Sequence, residues 1–297
     1  MSTRKFTTTD GFVVVDLDDA PVSFGVVRSA PKVLVDGARW LARSTSYQFA
    51  AFGVRASGAS GAVNAPADVK AEAIAAAVAE LADEAWSTVH LTAGRGISAS
   101  DLSALRERDP RPADWFDRRD ASLVAGLVAA AERATGGLAG TTVAVEQFDA
   151  ATTALAAALA EAGAIVVETD ESLGADAVLH SDATVLFIGS KVGLLGDHLV
   201  PHVRARCIVP TGPMPVTTKA LAGLGRAGVV VLPDFVTTAG PLASWPGEGA
   251  DRDPAALVAD RLTSVLDHPK GPLVGACEEA EAFLASWTTV PFGRPIA

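Results

Sequence analysis

The sequence predicts an α/β protein, with an N-terminal α/β module followed by a doubly wound parallel sheet. Three observations predict it. Short apolar runs recur through the second half at 143–145, 184–188, 206–210 and 228–233, separated by segments of helical length, which is the spacing of strands joined by crossover helices. The first of them, Val143-Ala144-Val145, is too short and too continuous for a half-exposed strand and fits one buried on both faces. A chain of 297 residues, 49% hydrophobic and 20% charged, also has ample core for two domains of roughly 100–200 residues each.

In chain order, residues 1–115 make the first module. Segments 12–17 and 23–27 have the β-branched and aromatic bias of strands and are joined by Asp-Asp-Ala-Pro, which predicts a hairpin or adjacent strands. Pro31 precedes a helix over 32–52. The stretch 55–64, RASGASGAVN, reads as a small-residue loop, and 68–86 as an Ala-rich helix with Glu72, Glu80 and Asp83 on its wet face. A strand follows at 88–92.

Residues 101–118, DLSALRERDPRPADWFDR, are charged, carry two prolines, and read as the approach to a second domain. That domain is expected over 116–250, with the tail 251–297 packing back across the domains. It opens with a helix at 121–134. Residues 140–170 then form one βαβ unit, whose helix over 150–162 ends at Gly163, where a left-handed C-cap costs least. The tail predicts helices at 254–266 and 277–287, the latter with Glu278, Glu279 and Glu281 in its first turn, where the helix dipole favours them.

The net charge of −11 excludes nucleic acid as a main partner, because phosphate binding needs clustered positive charge. No membrane span is expected: the apolar run 123–131 contains Gly126 and falls short of the roughly 18 residues a crossing needs. MSTRKFTTTDG lacks the apolar segment of a signal peptide, so the cytoplasm is the expected location. Cys207 and Cys277 lie in apolar surroundings and read as reduced core residues. His198 and His202 have i, i+4 spacing, but Pro201 interrupts any helix and no glutamate completes a metal motif, so no metal is expected.

The turn of the βαβ unit poses the functional question. A dinucleotide-binding turn carries glycines so that the backbone can turn tightly and admit a pyrophosphate at the helix N-terminus. Here it reads Glu146-Gln147-Phe148-Asp149-Ala150-Ala151-Thr152, with no glycine. Asp149 stands where an N-cap belongs, able to accept the N–H of Ala151 or Thr152. A carboxylate about 5 Å from a phosphate oxygen costs on the order of 3 kcal/mol at an effective dielectric near 20. Asp170 occupies the place of a ribose-binding acid but, without the glycines, reads as an ordinary turn residue.

The stretch 207–242, CIVPTGPMPVTTKALAGLGRAGVVVLPDFVTTAGPL, resembles the end of the nucleotide domain in the glutamate/leucine/phenylalanine/valine dehydrogenase family. Its most specific part is GVVVLPDF followed by Ala239-Gly240. Leu41-Ala42, Tyr47 and the 58–66 segment are similar to that family's substrate domain, and 140–170 to its cofactor domain. The resemblance runs over 12–245 in the family's order, and the short chain resembles the leucine/phenylalanine/valine branch. It implies a substrate and dimerisation domain, a Rossmann-like cofactor domain, and oxidative deamination of an L-amino acid with NAD or NADP. That chemistry uses one lysine for the substrate carboxylate, a second in a glycine-rich loop to activate water, and an aspartate to move protons.

Carried over residue by residue, the resemblance places Gln48 at the carboxylate lysine, Ser60 at the catalytic lysine and Arg95 at the aspartate. The glycines of the cofactor turn fall at Gln147, Asp149 and Thr152, and two asparagines at Pro213 and Thr238. A neutral hydroxyl does not replace an ammonium beside developing negative charge, and Arg95 reverses a sign. The expectation is a divergent homologue that has lost the family's chemistry, a pseudoenzyme or small-anion-binding protein with no cofactor. Arg28, which aligns to within one residue with an arginine after the family's paired glycines, is expected with Arg55 and Arg95 to line an anion site. The alternative is an NAD(P)-dependent oxidoreductase with rearranged residues, with Lys191 at the C-terminal edge of the sheet. The family also implies a homo-oligomer through the N-terminal domain, or a hetero-oligomer with an active paralogue.

Overall fold

Residues 1–148, 150–168, 177–245 and 251–297 are described by the computed structural model. Its contacts divide the chain into two units, Met1–Pro110 with Glu279–Pro295, and Arg111–Glu278 with Ile296–Ala297.

Unit 1 is built on a five-stranded sheet of order β1-β2-β4-β3-β5. The strands are β1 (Ser2–Lys5), β2 (Gly11–Val15), β3 (Ser23–Ala30), β4 (Ser57–Asn64) and β5 (Val89–Ala93). β1–β2 and β2–β4 pair antiparallel, whereas β3 pairs parallel with both β4 and β5. The faces follow from side-chain alternation. Phe12, Val14 and Ala62 pack with Ala38 and Ala42 of α1 (Val35–Ala51), while Val13, Val15, Val27 and Ala59 pack with Ile74 and Val78 of α2 (Lys70–Leu81). With both faces covered, β2 is buried along its whole length.

Two expectations fail in this unit. Segments 12–17 and 23–27 form strands but neither a hairpin nor a neighbouring pair, because β4 inserts between them; the hairpin is β1–β2. The loop expected over 55–64 is instead β4, a central, buried strand. Its small residues are a packing requirement. A Cβ on Gly58 would lie 1.9 Å from the Ala42 carbonyl oxygen and 2.7 Å from Ser46 N, so at that position the strand has no room for a side chain beneath α1.

Unit 2 carries a wholly parallel sheet of order β10-β9-β8-β6-β7, made of β6 (Thr142–Val145), β7 (Ile165–Val166), β8 (Val185–Ile188), β9 (Cys207–Pro210) and β10 (Val230–Val231). β6 is buried at its centre and β8 and β9 throughout, as expected for strands covered on both faces. Its helices are α3 (Ala113–Thr135), α4 (Ala151–Glu161), α5 (Thr218–Arg226), the single turn α6 (Asp234–Thr237) and α7 (Pro254–Val265), and the chain passes from unit 2 to unit 1 within α8 (Pro272–Ala285), at Glu279. The chain winds from β6 to β7 on one side and returns to β8 on the other, which makes unit 2 a Rossmann-like doubly wound sheet with its switch point between β6 and β8.

Three helix boundaries differ from expectation. α2 ends at Leu81 rather than 86, with a separate 3-10 turn at Glu84–Trp86. α3 starts at Ala113 rather than 121, with Pro112 as the extended residue before it and Trp115 buried, its indole N–H donating to the Pro241 carbonyl at 2.9 Å. α8 starts at Pro272, a proline tolerated in a first turn, so Glu278, Glu279 and Glu281 fall within the helix and not at its start. Gly163, at φ +87°, terminates α4 as expected.

Candidate functional site

The unit 1 candidate lies on the sheet face shared with α1. Parallel register sets Phe24, Val26 and Arg28 of β3 beside Gly58, Ser60 and Ala62 of β4, and beside His90 and Thr92 of β5. Phe24 closes the lower end of this face, with ring centroids 5.2 Å from His90 and 5.9 Å from Phe49. Arg28 reaches back along the strand, and its Nη2 donates to Ser60 Oγ at 3.1 Å. Its Nε is buried without a partner, and among the described residues no carboxylate pairs with it. Burial pulls the guanidinium below its ordinary value while leaving it charged. Ser60 is 2% exposed, and Thr92 Oγ1 on the same face donates to the Gly25 carbonyl.

The expected anion-site residues do not all converge. Arg95 is exposed just beyond β5, next in space to Arg28's strand, where its carbonyl accepts from Ser29 N at 3.0 Å. A Cβ on the preceding Gly94 would meet Arg28 Cγ at 2.8 Å, so the arginine stem lies directly over that glycine. Gln48 is half-buried on α1. Arg55 is elsewhere. It precedes β4, whereas Arg28 pairs in register with Ala62 near that strand's other end, about 20 Å away at 3.3 Å per residue. The structure thus joins Arg28 with Ser60, puts Arg95 at the same sheet edge, and removes Arg55.

The unit 2 candidate is the switch point, and its centre is a residue the sequence did not single out. Glu146 directly follows β6, its N–H extending the ladder to the Phe187 carbonyl, and it is 7% exposed. Its carboxylate crosses to the loop after β8. Oε2 accepts from Gly189 N at 2.7 Å and Ser190 N at 3.1 Å, and Oε1 accepts a short hydrogen bond from the Ser190 hydroxyl. The loop after β9 presses on the same place: a Cβ on Gly189 would lie 2.2 Å from Gly212 N and 2.5 Å from Thr211 Oγ1. Thr211 Oγ1 is buried and has no partner. A carboxylate immediately after a buried strand, at the first residue of the turn that leads into α4, was the available signal.

Gln147 is exposed. Thr152 is buried, and its hydroxyl accepts from Phe148 N at 3.1 Å, so a side chain fills the space at the start of α4. Ala150 is the N-cap of α4. Asp149 and Asp170 lie outside the described residues, and with them the expected cap and the ribose position. Lys191 is exposed on the loop after β8. Pro213 is exposed beside Met214, whose N–H is held by buried Asp234 at 2.9 Å, and the Thr238 hydroxyl donates to the Asp234 carbonyl.

His198 and His202 are exposed in a 3-10 helix, Asp197–His202, and among the described residues no cluster of His, Cys, Asp or Glu could hold a metal ion. Both cysteines are buried and outside any disulfide, with the Cys207 thiol pushed up to about 12 by desolvation. Among the described residues no helix is long and apolar enough to cross a membrane.

No family model matches the chain, and no curated protein matches it in sequence. Solved structures do match. L-tryptophan dehydrogenase from Nostoc punctiforme superposes with a TM-score of 0.67 at 17% identity, over 96% of this chain and 95% of that one. A hetero-hexameric glutamate dehydrogenase from Thermus thermophilus, in a leucine-bound form, gives 0.72 at 18% identity over 95% and 86%. Glutamate dehydrogenase 2 from Plasmodium falciparum gives 0.71 at 13% identity over 96% and 84%. The chain therefore has the fold of these amino-acid dehydrogenases.

Proposed function

We propose that this chain is a divergent amino-acid dehydrogenase homologue, a pseudoenzyme that binds a small anion in unit 1 instead of transferring hydride. One observation carries this: the Arg28 guanidinium is packed on the α1 face against the neutral hydroxyl of Ser60, with Nε unpartnered and no carboxylate to balance it. A partly desolvated cation without a counter-charge is costly, and an external carboxylate or phosphate accepting from its free donors offsets that cost. The resemblance makes Ser60 the successor of the catalytic lysine and Arg95 that of the aspartate, so binding of an anion outlives the means of proton transfer.

The residues at the switch point do not fit a dinucleotide. Its loop amides are already taken by the Glu146 carboxylate, which would face the pyrophosphate with like charge. No hydride step is derived for this chain, and no cofactor is assigned.

Calorimetry with a panel of 2-oxoacids and inorganic phosphate tests the proposal. Heat that disappears in Arg28→Gln supports it; a panel without arginine-dependent heat sinks it. Fluorescence titration with NADH and NADPH tests the opposing reading, NAD(P)-dependent deamination of an L-amino acid with rearranged residues, and micromolar binding of either would establish that reading in its place.

The same proposal makes the chain an oligomer through unit 1. Leu34, Trp40 and Phe292 expose large apolar surface there, Phe292 completely, and the Trp40 ring borders Gly293. A monomer in light scattering at micromolar concentration would remove this part.

A further inference from the structure

We propose that Glu146 is an intramolecular ligand: its carboxylate occupies an oxyanion site at the switch point of unit 2, a site that accepts a small external carboxylate or phosphate once that side chain is withdrawn. The inference goes beyond the unit 1 anion site and does not depend on it.

The site is built of main chain. Consecutive N–H groups of Gly189 and Ser190 both point at Glu146 Oε2, and the Ser190 hydroxyl turns to Oε1. Successive amides converging on one oxygen form the concavity by which loops bind anions. Gly189 is backed by the loop after β9, so closely that an added Cβ would lie 2.2 Å from Gly212 N, which fixes the side from which its amide is presented. Thr211, 5% exposed, packs its unpartnered hydroxyl against Gly189 on the same side as Gly212. Lys191, next in the chain, is exposed and carries positive charge to the rim.

What fills this concavity is an anion, and it belongs to the protein. Among the described residues no cation pairs with Glu146, so the carboxylate is held by dipoles alone, the arrangement expected of a bound oxyanion and not of an ion pair. The crossover that places β8 beside β6 carries the acceptor on one loop and the donors on the next, so Glu146 also ties the two together. The switch point is closed by occupation, with its donor set intact beneath the occupant.

Acetate is the carboxyl group and adjoining carbon that Glu146→Ala deletes, which makes it the natural probe. The experiment is done in the Arg28→Gln background, so that anion binding in unit 1 contributes nothing and the two proposals fail separately. Melting temperature is followed against sodium acetate, sodium phosphate and sodium chloride at matched ionic strength. With Glu146 present, acetate and chloride are expected to act alike. Glu146→Ala is expected to melt several degrees lower and to recover in acetate or phosphate with saturation, because a ligand that binds only the folded state raises its stability. Glu146→Gln keeps the volume and can still accept from both loop N–H groups through its amide oxygen but carries no charge, so it is expected to melt lower than the parent and, with its side chain still filling the concavity, not to recover in acetate. Should Glu146→Ala fail to fold, Glu146→Asp withdraws the carboxylate by one methylene and the same phosphate response is expected. A folded Glu146→Ala or Glu146→Asp protein that responds to acetate and phosphate no more than to chloride overturns the proposal. So does saturable acetate stabilisation of equal size with Glu146 in place.

Discussion

Arg28 donates to Ser60 Oγ across adjacent parallel strands at 3.1 Å, a charged donor meeting a neutral acceptor on a covered sheet face. The fold tolerates that guanidinium without gaining from it. Arg28→Met, which keeps the stem and removes the charge, is therefore expected to raise stability by about 1 kcal/mol in anion-poor buffer while abolishing any stabilisation by 2-oxoacids. Thermal denaturation with and without oxoacid checks both halves, and a melting temperature below that of the parent would contradict the assignment.

Gly58 is the contact point between β4 and α1. Because an added Cβ would sit 1.9 Å from the Ala42 carbonyl oxygen and 2.7 Å from Ser46 N, both main-chain atoms, Gly58→Ala must push the helix off the strand. Overpacking of this kind costs about 3 kcal/mol or somewhat more. Urea titration of the variant should show a lower midpoint, whereas Gly37→Ala, with nothing near the added carbon, should leave it unchanged or raised.

Arg43 and Asp16 form a buried pair, with side chains 7% and 0% exposed, in which Arg43 Nε donates to both carboxylate oxygens at 2.8 and 2.9 Å. Arg43 Nη1 also donates to the carbonyls of Phe292 and Gly293. Asp16→Ala leaves an unpaired buried guanidinium and is expected to cost about 3–5 kcal/mol, and Arg43→Met alone strands the carboxylate at a similar cost. Made together, the two changes should cost clearly less than the sum of the singles, as a denaturant double-mutant cycle would measure.

Arg294 donates to Glu281 through Nε and Nη2, both at 2.7 Å, and Tyr47 donates its hydroxyl to the same carboxylate at 3.1 Å. These bonds, Arg294 foremost, hold the Glu281 carboxyl below its ordinary value. A carboxyl whose value is lower folded than unfolded adds stability that is fully present above the unfolded value and lost as pH falls through the folded one. Melting temperature should thus decline more steeply below about pH 4 in the parent than in Glu281→Gln, which lacks this group. Parallel curves for the two proteins would refute the linkage.

Much of unit 2 was legible because its central strands are covered on both faces and so are continuously apolar: Val143-Ala144-Val145 and 185–188 declare themselves without neighbours. β4 did not. SGASGAVN has almost none of the β-branched bulk of a strand, and becomes one because α1 lies too close to admit anything larger. The start of α3 was hidden for a related reason: Asp114-Trp115-Phe116-Asp117 reads as a charged approach until Trp115 finds the Pro241 carbonyl. Positions 48, 60 and 95 could be marked by resemblance, but the pairing of Arg28 with Ser60, and the exclusion of Arg55, follow from parallel register alone.

By itself the sequence determined the α/β class and the buried strands of the second unit, because composition and periodicity report how each segment meets water. Only the tertiary structure decided which strands are neighbours. The insertion of β4 between β2 and β3, and the return of β8 to the side of β6, depend on long-range pairing that no local pattern encodes. That second placement brings Gly189 and Ser190 to Glu146, residues more than 40 positions apart in the chain, so the anion that holds the switch point shut is visible only in the folded protein.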